Sequence, residues 1–153
     1  MSDDHWGLKN KKVLITGASR GLGQVCTEYF ARAGAELLLT ARSGERLEAL
    51  VESCGGSERH AYFAADLREP GQIGALAECA EVFGPIDVVL HIMGGGLGMS
   101  KPLLEWNDFE ALLRTNLTAG AELNRLLVPA MIERGTGNIV HVGSIAGREA
   151  TGS

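Results

Sequence analysis

Strand-like and helix-like hydrophobic patterns alternate along the chain. Short apolar runs typical of buried strands are separated by stretches in which apolar residues recur every three or four positions, as in amphipathic helices. The strand patterns are, in order, KVLITG, AELLLTA, HAYFAAD, IDVVLHIM and GNIVHVGS. A helix is predicted after each of the first three strands, and one long helix from about Trp106 to Arg134 follows the fourth, with a local kink at Pro129.

Glycine, serine and proline mark the ends of the first three helices. Gly34 ends the first helix, Ser43 is placed to cap the second, and Pro70 lies in the first turn of the third. The apolar stripe predicted to pack the first helix against the sheet is Leu22, Val25, Cys26, Tyr29, Phe30 and Ala33. These boundaries support the alternating assignment along the chain.

Alternation of this kind indicates parallel strands with helices on both faces, which is an α/β, Rossmann-type doubly wound sheet with three layers, α/β/α. Ligands of such sheets bind at the carboxyl ends of the strands, near the point where the strand order reverses. Gly17, Asp66, Gly94 and Ser144 all fall at or just past predicted strand ends. We therefore expect a single domain over residues 1–153 with its site at this edge.

Composition narrows the class of protein. The 153 residues are 45% hydrophobic and 22% charged, with a net charge of -5, which suits one globular domain and disfavours nucleic-acid binding. No apolar run is long enough to span a membrane, and residues 1–12 lack the apolar core of an export signal. Cys26, Cys54 and Cys79 form no metal-ligand pair. We expect a cytoplasmic protein with idle thiols and no metal.

The stretch VLITGASRGLG joins the first strand to the first helix. Gly17, Gly21 and Gly23 permit a sharp turn and close approach of a phosphate, and the helix start offers unpaired N–H groups and a positive dipole end. The spacing is G-x-x-x-G-x-G, and any tight turn between a strand and a helix can also use glycine. The flanking strand and helix favour a turn that binds the pyrophosphate of a nucleotide.

The segment TGASRGLG resembles the cofactor turn of the classical short-chain dehydrogenase/reductase family. AADL at 64–67, TNLTAG at 115–120 and NIVHVGSIAG at 138–147 match the same family in order. The resemblance implies a nicotinamide dinucleotide as cofactor, held by the turn, including Ser19, Arg20 and Leu22. It also implies that Asp66 and Leu67 border the adenine and that Gly94 lies beside the ribose.

The charges after the second strand favour NADP(H) over NAD(H). An acidic residue at this position usually binds the ribose 2′-hydroxyl, but this strand ends Thr40-Ala41-Arg42. Arg20 and Arg42 would instead suit a 2′-phosphate through charge-assisted hydrogen bonds. The alternative is that Arg42 merely begins a solvated helix.

Asn116 and Ser144 are the candidate catalytic residues. Asn116 lies three or four positions from apolar residues of the long helix and is predicted to face inward; the apolar stripe is Phe109, Leu112, Leu113, Leu117, Gly120, Leu123 and Leu127. In the family the matching asparagine holds a water of the proton relay, whereas the alternative is a structural tie between this helix and a neighbouring strand. The resemblance assigns Ser144 to polarisation of the substrate oxygen, although a serine that merely ends a strand is common.

The family's tyrosine acid/base and its lysine, four residues later, are expected a dozen or so residues beyond Ser144. Neither Tyr29 nor Tyr62 is followed by lysine at that spacing. Its sixth and seventh strands are also expected beyond Ser153, so the sequence is interpreted as truncated. A second departure is that 91–93 reads His-Ile-Met where the family usually has Asn-Asn-Ala, before a glycine-rich stretch at 94–98. His141 is interpreted as a histidine packed in its strand.

Three hypotheses remain from the sequence. The first is an NADP(H)-dependent oxidoreductase that transfers hydride between nicotinamide and a carbonyl or secondary alcohol of a small molecule. The second is a non-catalytic dinucleotide-binding or regulatory protein, favoured by the missing tyrosine and the altered triplet. The third is an interaction module that uses the long helix, which the family resemblance interprets as a surface for a homo-oligomer, either a dimer or a tetramer.

Overall fold

The computed structural model describes residues 6–101 and 103–149, which form a five-stranded sheet flanked by helices. The strands are β1 (Lys12–Thr16), β2 (Glu36–Ala41), β3 (His60–Ala64), β4 (Val88–His91) and β5 (Asn138–His141). Their order is β3-β2-β1-β4-β5, and every neighbouring pair is parallel. The chain order reverses between β1 and β4, so the switch point lies above these two strands. The predicted doubly wound parallel sheet is confirmed.

Helices connect successive strands. They are α1 (Gly21–Arg32), α2 (Gly44–Ser53), α3 (Pro70–Phe83), α4 (Trp106–Leu113) and α5 (Ala119–Arg134). A π turn, Arg114–Thr118, joins α4 to α5, and a short 3₁₀ helix, Ile145–Gly147, follows β5. The predicted extent of the long helix is therefore right. A π turn that the sequence did not predict interrupts it at 114–118, and Pro129 lies inside α5. In the part of the chain that the structure describes, no helix has both the length and the apolar character needed to cross a bilayer.

The core lies on both faces of the sheet, as period-two side-chain alternation requires. Leu14, Leu38 and Val89 point to the face covered by α3 and α5. Val13 and Leu37 point to the opposite face, with the side chains of α2. Each is fully buried, and burial of such a side chain contributes about 1.5–3 kcal/mol. This packing fixes the strands and therefore the positions of the loops at their carboxyl ends.

The predicted inner stripe of α1 is wrong in three places. Leu22, Val25 and Tyr29 are 52%, 57% and 51% exposed, whereas Gly23 and Thr27 are the buried residues of this helix. Gly23 has no side chain, so this face of the helix comes closest to the sheet, and the Thr27 hydroxyl donates to the Gly23 carbonyl at 2.8 Å. Close backbone packing has thus turned the helix away from its more apolar face.

Two smaller expectations are also settled by the fold. Ser43 precedes α2 as predicted, but its side chain makes no capping hydrogen bond, whereas Pro70 occupies the first turn of α3. Cys26, Cys54 and Cys79 are free and half-buried, and burial raises the pKa of each thiol. Raised pKa values keep these thiols protonated and weakly nucleophilic near neutral pH.

Candidate functional site

The turn between β1 and α1 depends on glycine for steric reasons. Gly17 and Gly21 have φ values of +70° and +55°, which side chains rarely adopt. A Cβ on Gly17 would lie 2.8 Å from the Met93 nitrogen, and one on Gly23 would lie 2.1 Å from the Gly17 carbonyl oxygen. The helix that follows has no side-chain cap and no acidic residue in its first turn. Its N-terminus therefore remains available to an anion.

A cleft of about 970 Å³ opens above this turn, over the carboxyl ends of β1, β2 and β4. Nine of the ten residues predicted to bind the cofactor line it: Gly17, Ser19, Arg20, Gly21, Leu22, Arg42, Asp66, Leu67 and Gly94. Gly23, the tenth, lies beneath the turn and packs against its backbone. The volume lies in the range of sites that bind small organic ligands.

Thr40 provides a test of whether a polar ligand fits this cleft. Its side chain is fully buried at the end of β2 and lines the cleft. Among the hydroxyls and other side-chain polar atoms buried in residues 6–101 and 103–149, only the Thr40 Oγ1 has no hydrogen-bond partner. An unpaired buried polar group costs about 1–3 kcal/mol. A ligand with hydroxyl or phosphate oxygens would supply the partner, so the donor set fits a nucleotide.

Cationic side chains surround the end of β2. Arg20, Arg42 and Arg46 all line the cleft, and within the described ranges none of them makes an ion pair. Asp66 is instead held by Arg68, whose Nε donates to both of its carboxylate oxygens at 2.9 and 3.1 Å. This guanidinium holds the pKa of Asp66 below its usual range, and Arg42 acts in the same direction. The cleft therefore offers three guanidinium groups to an anion.

Asn116 anchors the glycine-rich loop that follows β4. Its Oδ1 accepts from the Gly95 N–H at 2.8 Å, and its Nδ2 donates to the Gly95 carbonyl at 3.0 Å and to the Leu112 carbonyl at 2.9 Å. Both amide protons are thereby used. The side chain is exposed, so the prediction that it faces inward is wrong; it lies within the π turn, which interrupts the helical period assumed for that prediction.

The apolar stripe predicted around Asn116 divides at the π turn. Leu123 and Leu127 on α5 are buried, whereas Phe109, Leu113 and Leu117 are 51%, 39% and 61% exposed. No residue of α4 is buried. The two parts of the long helix therefore present their apolar residues to different surroundings.

Ser144 lies three residues past β5, as the sequence predicts. It is exposed, and its Oγ accepts from the Ala146 N–H at 3.1 Å, which caps the short 3₁₀ helix. Ser144 does not line the cleft, although Val142 does. The hydroxyl proton remains available to another acceptor, because this capping bond uses only a lone pair.

Two histidines lie side by side between the cleft and α5. His91 and His141 are register partners on β4 and β5, and their rings stack with centroids 4.3 Å apart. Asn124 of α5 makes a hydrogen bond to each ring. His91 is buried but His141 is exposed, so the interpretation of His141 as a histidine packed in its strand is wrong. A Cβ at Gly120 would lie 3.3 Å from the His141 ring, so this glycine leaves room for the pair.

Sequence reasoning missed three features of the site. Arg46 lies in the first turn of α2, only four residues after Arg42, so its proximity along the chain was a usable signal. Thr40 ends a strand, and its unpaired hydroxyl depends on the surrounding backbone. Asn124 contacts His91 and His141, which lie 33 and 17 positions away from it along the chain. No local pattern reports contacts of that kind.

Comparisons with known proteins agree on one family. A family model described as short chain dehydrogenase matches residues 11–153. Ketoacyl reductase HetN of Nostoc sp. is 36% identical over 146 residues, which cover 93% of this chain and 50% of that protein. A metagenomic short-chain oxidoreductase in complex with NADP has a TM-score of 0.85 at 31% identity, covering 95% of this chain and 67% of that one.

A second solved structure carries the other dinucleotide. An NADH-dependent reductase complexed with NAD has a TM-score of 0.82 at 27% identity, covering 99% of this chain and 65% of that one. The chain spans about half the length of curated relatives such as the ketoacyl reductase. Similar structures therefore hold either dinucleotide.

Proposed function

Because the chain belongs to the short-chain dehydrogenase family, we propose that its cleft binds a nicotinamide dinucleotide for an oxidoreductase. The single observation that carries this proposal is the assembly of nine predicted residues around one cleft above the glycine turn. The glycine turn and the start of α1 would hold the pyrophosphate. Asp66 and Leu67 would border the adenine, and Gly94 the ribose. The unpaired Thr40 hydroxyl adds a polar group that a bound nucleotide would satisfy.

The charges around the end of β2 support NADP(H) as the preferred cofactor. Arg20, Arg42 and Arg46 carry three positive charges without ion-pair partners in the described residues, and the carboxylate of Asp66 is neutralised by Arg68. A 2′-phosphate bears nearly two negative charges near neutral pH and accepts strong hydrogen bonds from guanidinium groups. NAD(H) offers a neutral 2′-hydroxyl here, which gains little from three cations.

The reaction is transfer of hydride between the cofactor and a carbonyl or secondary alcohol carbon. The nicotinamide ring supplies the hydride chemistry when it is bound. Ser144 would donate its hydroxyl proton to the substrate oxygen and stabilise negative charge there. Asn116 would contribute first by fixing Gly95 and with it the cofactor loop, since both of its amide protons are already used by backbone carbonyls.

A non-catalytic dinucleotide-binding protein is the second candidate function. Of the described residues that line the cleft, none is a tyrosine or a lysine. Tyr29 lies on α1, edge-on to Trp6, and Tyr62 lies on β3. Binding without turnover would favour this candidate, whereas reduction of a carbonyl compound with NADPH would exclude it.

The experiment that tests the cofactor proposal is calorimetric titration with NADP⁺ and NAD⁺. The wild-type protein is expected to bind NADP⁺ at least about tenfold more tightly, which corresponds to about 1.4 kcal/mol. Arg42→Ala should remove most of this preference and leave the affinity for NAD⁺ nearly unchanged. Arg125→Ala is the matched control, because Arg125 pairs with Glu122 on α5 and does not line the cleft. Equal affinities in the wild type would refute the preference, and no binding of either dinucleotide would refute the function.

The exposed face of α4 supports a homo-oligomer. Trp106, Phe109 and Leu117 are 77%, 51% and 61% exposed and follow one another along the helix and the π turn. A row of exposed aromatic and aliphatic side chains of this size favours a protein interface. Sedimentation should show a dimer or tetramer that Phe109→Glu dissociates, and a monomeric wild type would contradict this arrangement.

A further inference from the structure

The histidine pair and Asn124 form a hydrogen-bonded cluster that the proposed chemistry leaves unused. The imidazole rings of His91 and His141 are nearly parallel, with an interplanar angle of 11°. The Oδ1 of Asn124 lies 2.8 Å from the Nε2 of His91, and its Nδ2 lies 3.1 Å from the Nε2 of His141. One amide thus contacts both rings from the side of α5.

The orientation of the amide determines where the ring protons lie. An amide oxygen only accepts, so His91 carries a proton on Nε2; an amide nitrogen only donates, so the Nε2 of His141 is a bare lone pair. The neutral cluster therefore has His141 protonated on Nδ1. A proton added to the Nε2 of His141 would face the N–H group of the Asn124 amide, so that two donors oppose each other. The Asn124 amide would then have to rotate to present its oxygen to His141. A second added proton would place like charges on stacked rings.

In the described part of the chain, no acidic side chain lines the small cavity beside the rings. β1 contributes Thr16 to the small cavity beside them, and the π turn contributes Thr115 and Asn116. Of the described residues that line this cavity, only the two histidines have an ionisable side chain. On α5, Glu122 and Arg125 are exposed or half-buried and pair with each other. Burial lowers the pKa of His91, and the neighbouring His141 lowers it further, although the bond to Asn124 acts in the opposite direction.

The cluster lies where two parts of the site leave the sheet. Gly94 follows His91 by three residues, and Ser144 follows His141 by three. The Val142 N–H donates to the His91 carbonyl at 3.0 Å, so the two strand ends are joined directly above the rings. The cavity beside the rings, of about 30 Å³, also borders Asn116, which binds Gly95. A change in the rings therefore acts on both strand ends at once.

We infer that His91, Asn124 and His141 are positioning residues that hold the Gly94 loop and Ser144 in one arrangement while neutral, and release it when the cluster takes up one proton. Histidine is the side chain that changes charge in the range of about pH 5–8. The consequence for cofactor binding rests on the proposed function, whereas the coupling between the strand ends does not.

Nuclear magnetic resonance of the protein tests this coupling without any ligand. At about pH 8 the ring nitrogens should show the Nε2–H tautomer for His91 and the Nδ1–H tautomer for His141. On acidification the pair should take up one proton, and the backbone amides of Gly94 and Ser144 should shift along the same curve. His141→Phe keeps a ring to stack on His91 but removes the nitrogen at which an added proton would face the Asn124 amide donor, so both amides should lose this transition although His91 remains ionisable. His60→Gln, on β3, is the matched control and should retain it.

Titration with NADP⁺ then measures the effect on binding. The 2′-phosphate itself takes up a proton near about pH 6, so the comparison is between wild type and His141→Phe at each pH. The wild type should lose about tenfold more affinity than the variant between about pH 8 and about pH 5.5.

The outcomes separate this inference from the proposed function. The inference is overturned if the amide chemical shifts of Gly94 and Ser144 do not follow the protonation of the histidine pair. It is also overturned if these shifts change equally in His141→Phe. Equal loss of NADP⁺ affinity in both proteins overturns it as well, while leaving the proposed function intact. Absence of NADP⁺ binding at every pH refutes the proposed function, and the amide shifts still decide the coupling.

Discussion

Two regions border the same cleft and are built in different ways. Around the β1–α1 turn, main-chain atoms pack against main-chain atoms. This close packing is possible because Gly17 and Gly23 lack side chains. Around the ends of β4 and β5, side chains from separate elements form the contacts: Thr16, Asn116, Asn124, His91 and His141. The contacts of the first region are between backbone atoms and do not depend on protonation. Those of the second region involve side chains whose protons and hydrogen bonds can change.

The difference indicates how each region contributes to a binding site. A turn of packed backbone presents fixed N–H groups to an anion and carries no titratable contact. Beside the ends of β4 and β5, a single amide side chain, that of Asn116, holds the glycine-rich loop through two hydrogen bonds to Gly95 and is itself tied to the Leu112 carbonyl by a third. Substitutions should therefore act through steric overlap in the first region and through lost hydrogen bonds or altered protonation in the second.

The largest effect is expected for Gly23→Ala. The new Cβ would lie 2.1 Å from the Gly17 carbonyl oxygen and 2.9 Å from the Ala18 Cα, and both neighbours are backbone. Overpacking of this kind costs about 3 kcal/mol or more, since α1 must move away from the turn. Urea unfolding should show the loss of stability, and titration should show loss of NADP⁺ binding.

Gly74→Ala is the control for this substitution. Gly74 lies within α3, and a Cβ there meets nothing within 4 Å. Alanine in a helix is more favourable than glycine by about 1 kcal/mol, so this variant should be as stable as the wild type or more stable. Similar destabilisation by the two substitutions would show that backbone contact does not distinguish the turn.

An intermediate effect is expected for Asn116→Ala. The substitution removes three hydrogen bonds and leaves the Gly95 N–H and carbonyl without their partner. Because Gly95 lies in an exposed loop, water replaces part of the loss, and unfolding should be easier by about 1–2 kcal/mol. Cofactor affinity should fall more than stability suggests, since the loop that borders the cleft is no longer held.

Asn116→Asp and Asn107→Ala sharpen this result. Aspartate keeps an oxygen for the Gly95 N–H but cannot donate to the two carbonyls, so its affinity should lie between those of wild type and alanine variant. Asn107 is an exposed residue of α4, and its replacement by alanine should change stability by less than about 0.5 kcal/mol. If the alanine variant at 116 bound NADP⁺ normally, the loop would be positioned by other contacts.

The smallest effect is a dependence of stability on pH between about 5 and 7. Burial lowers the pKa of both His60 and His91, and the Nδ1 of His60 accepts from the Leu37 N–H at 3.2 Å. The unfolded chain therefore binds these protons more readily, near about pH 6.5, and folding stability falls as pH drops below that value. Each histidine contributes at most about 1.4 kcal/mol per pH unit.

Substitutions of His60 and His91 test whether these residues cause the pH dependence of stability. His60→Gln and His91→Asn should each flatten the decline in the free energy of unfolding, measured by urea titration at about pH 7.5 and at about pH 5.5. Gly74→Ala should leave the decline unchanged, since no titratable group contacts that position. A free energy of unfolding that is constant over this range in the wild type would contradict the burial of neutral histidines.

The parts of the fold that follow from local sequence were predictable. Alternating apolar runs and helical periods predict the five strands and the sheet class. Gly17 and Gly21 predict a sharp turn, and both have positive φ angles in the structure. Residues at strand ends, such as Asp66 and Gly94, were correctly expected at a common edge, because parallel strands end together.

The parts that depend on distant contacts or on irregular backbone were not predictable. The inward direction of Asn116 assumed a continuous 3.6-residue period, which the π turn at 114–118 interrupts. The apolar face of α1 was assigned from Leu22 and Val25, but the close approach allowed by Gly23 selects another face. Pairing of His91 with His141 follows from the register of β4 and β5, which a single sequence does not report.

The backbone contact beneath the glycine turn has a consequence for genetics. Since the obstacle to a side chain at Gly23 is the carbonyl of Gly17, no second substitution elsewhere removes it: every amino acid has the same carbonyl. Suppressor mutations that restore a Gly23→Ala variant should therefore be absent or very rare. Substitutions at His91, Asn124 or His141 affect contacts between side chains, so a second substitution at a neighbouring position can compensate for them. The two regions should therefore accumulate substitutions at different rates among descendants of this chain.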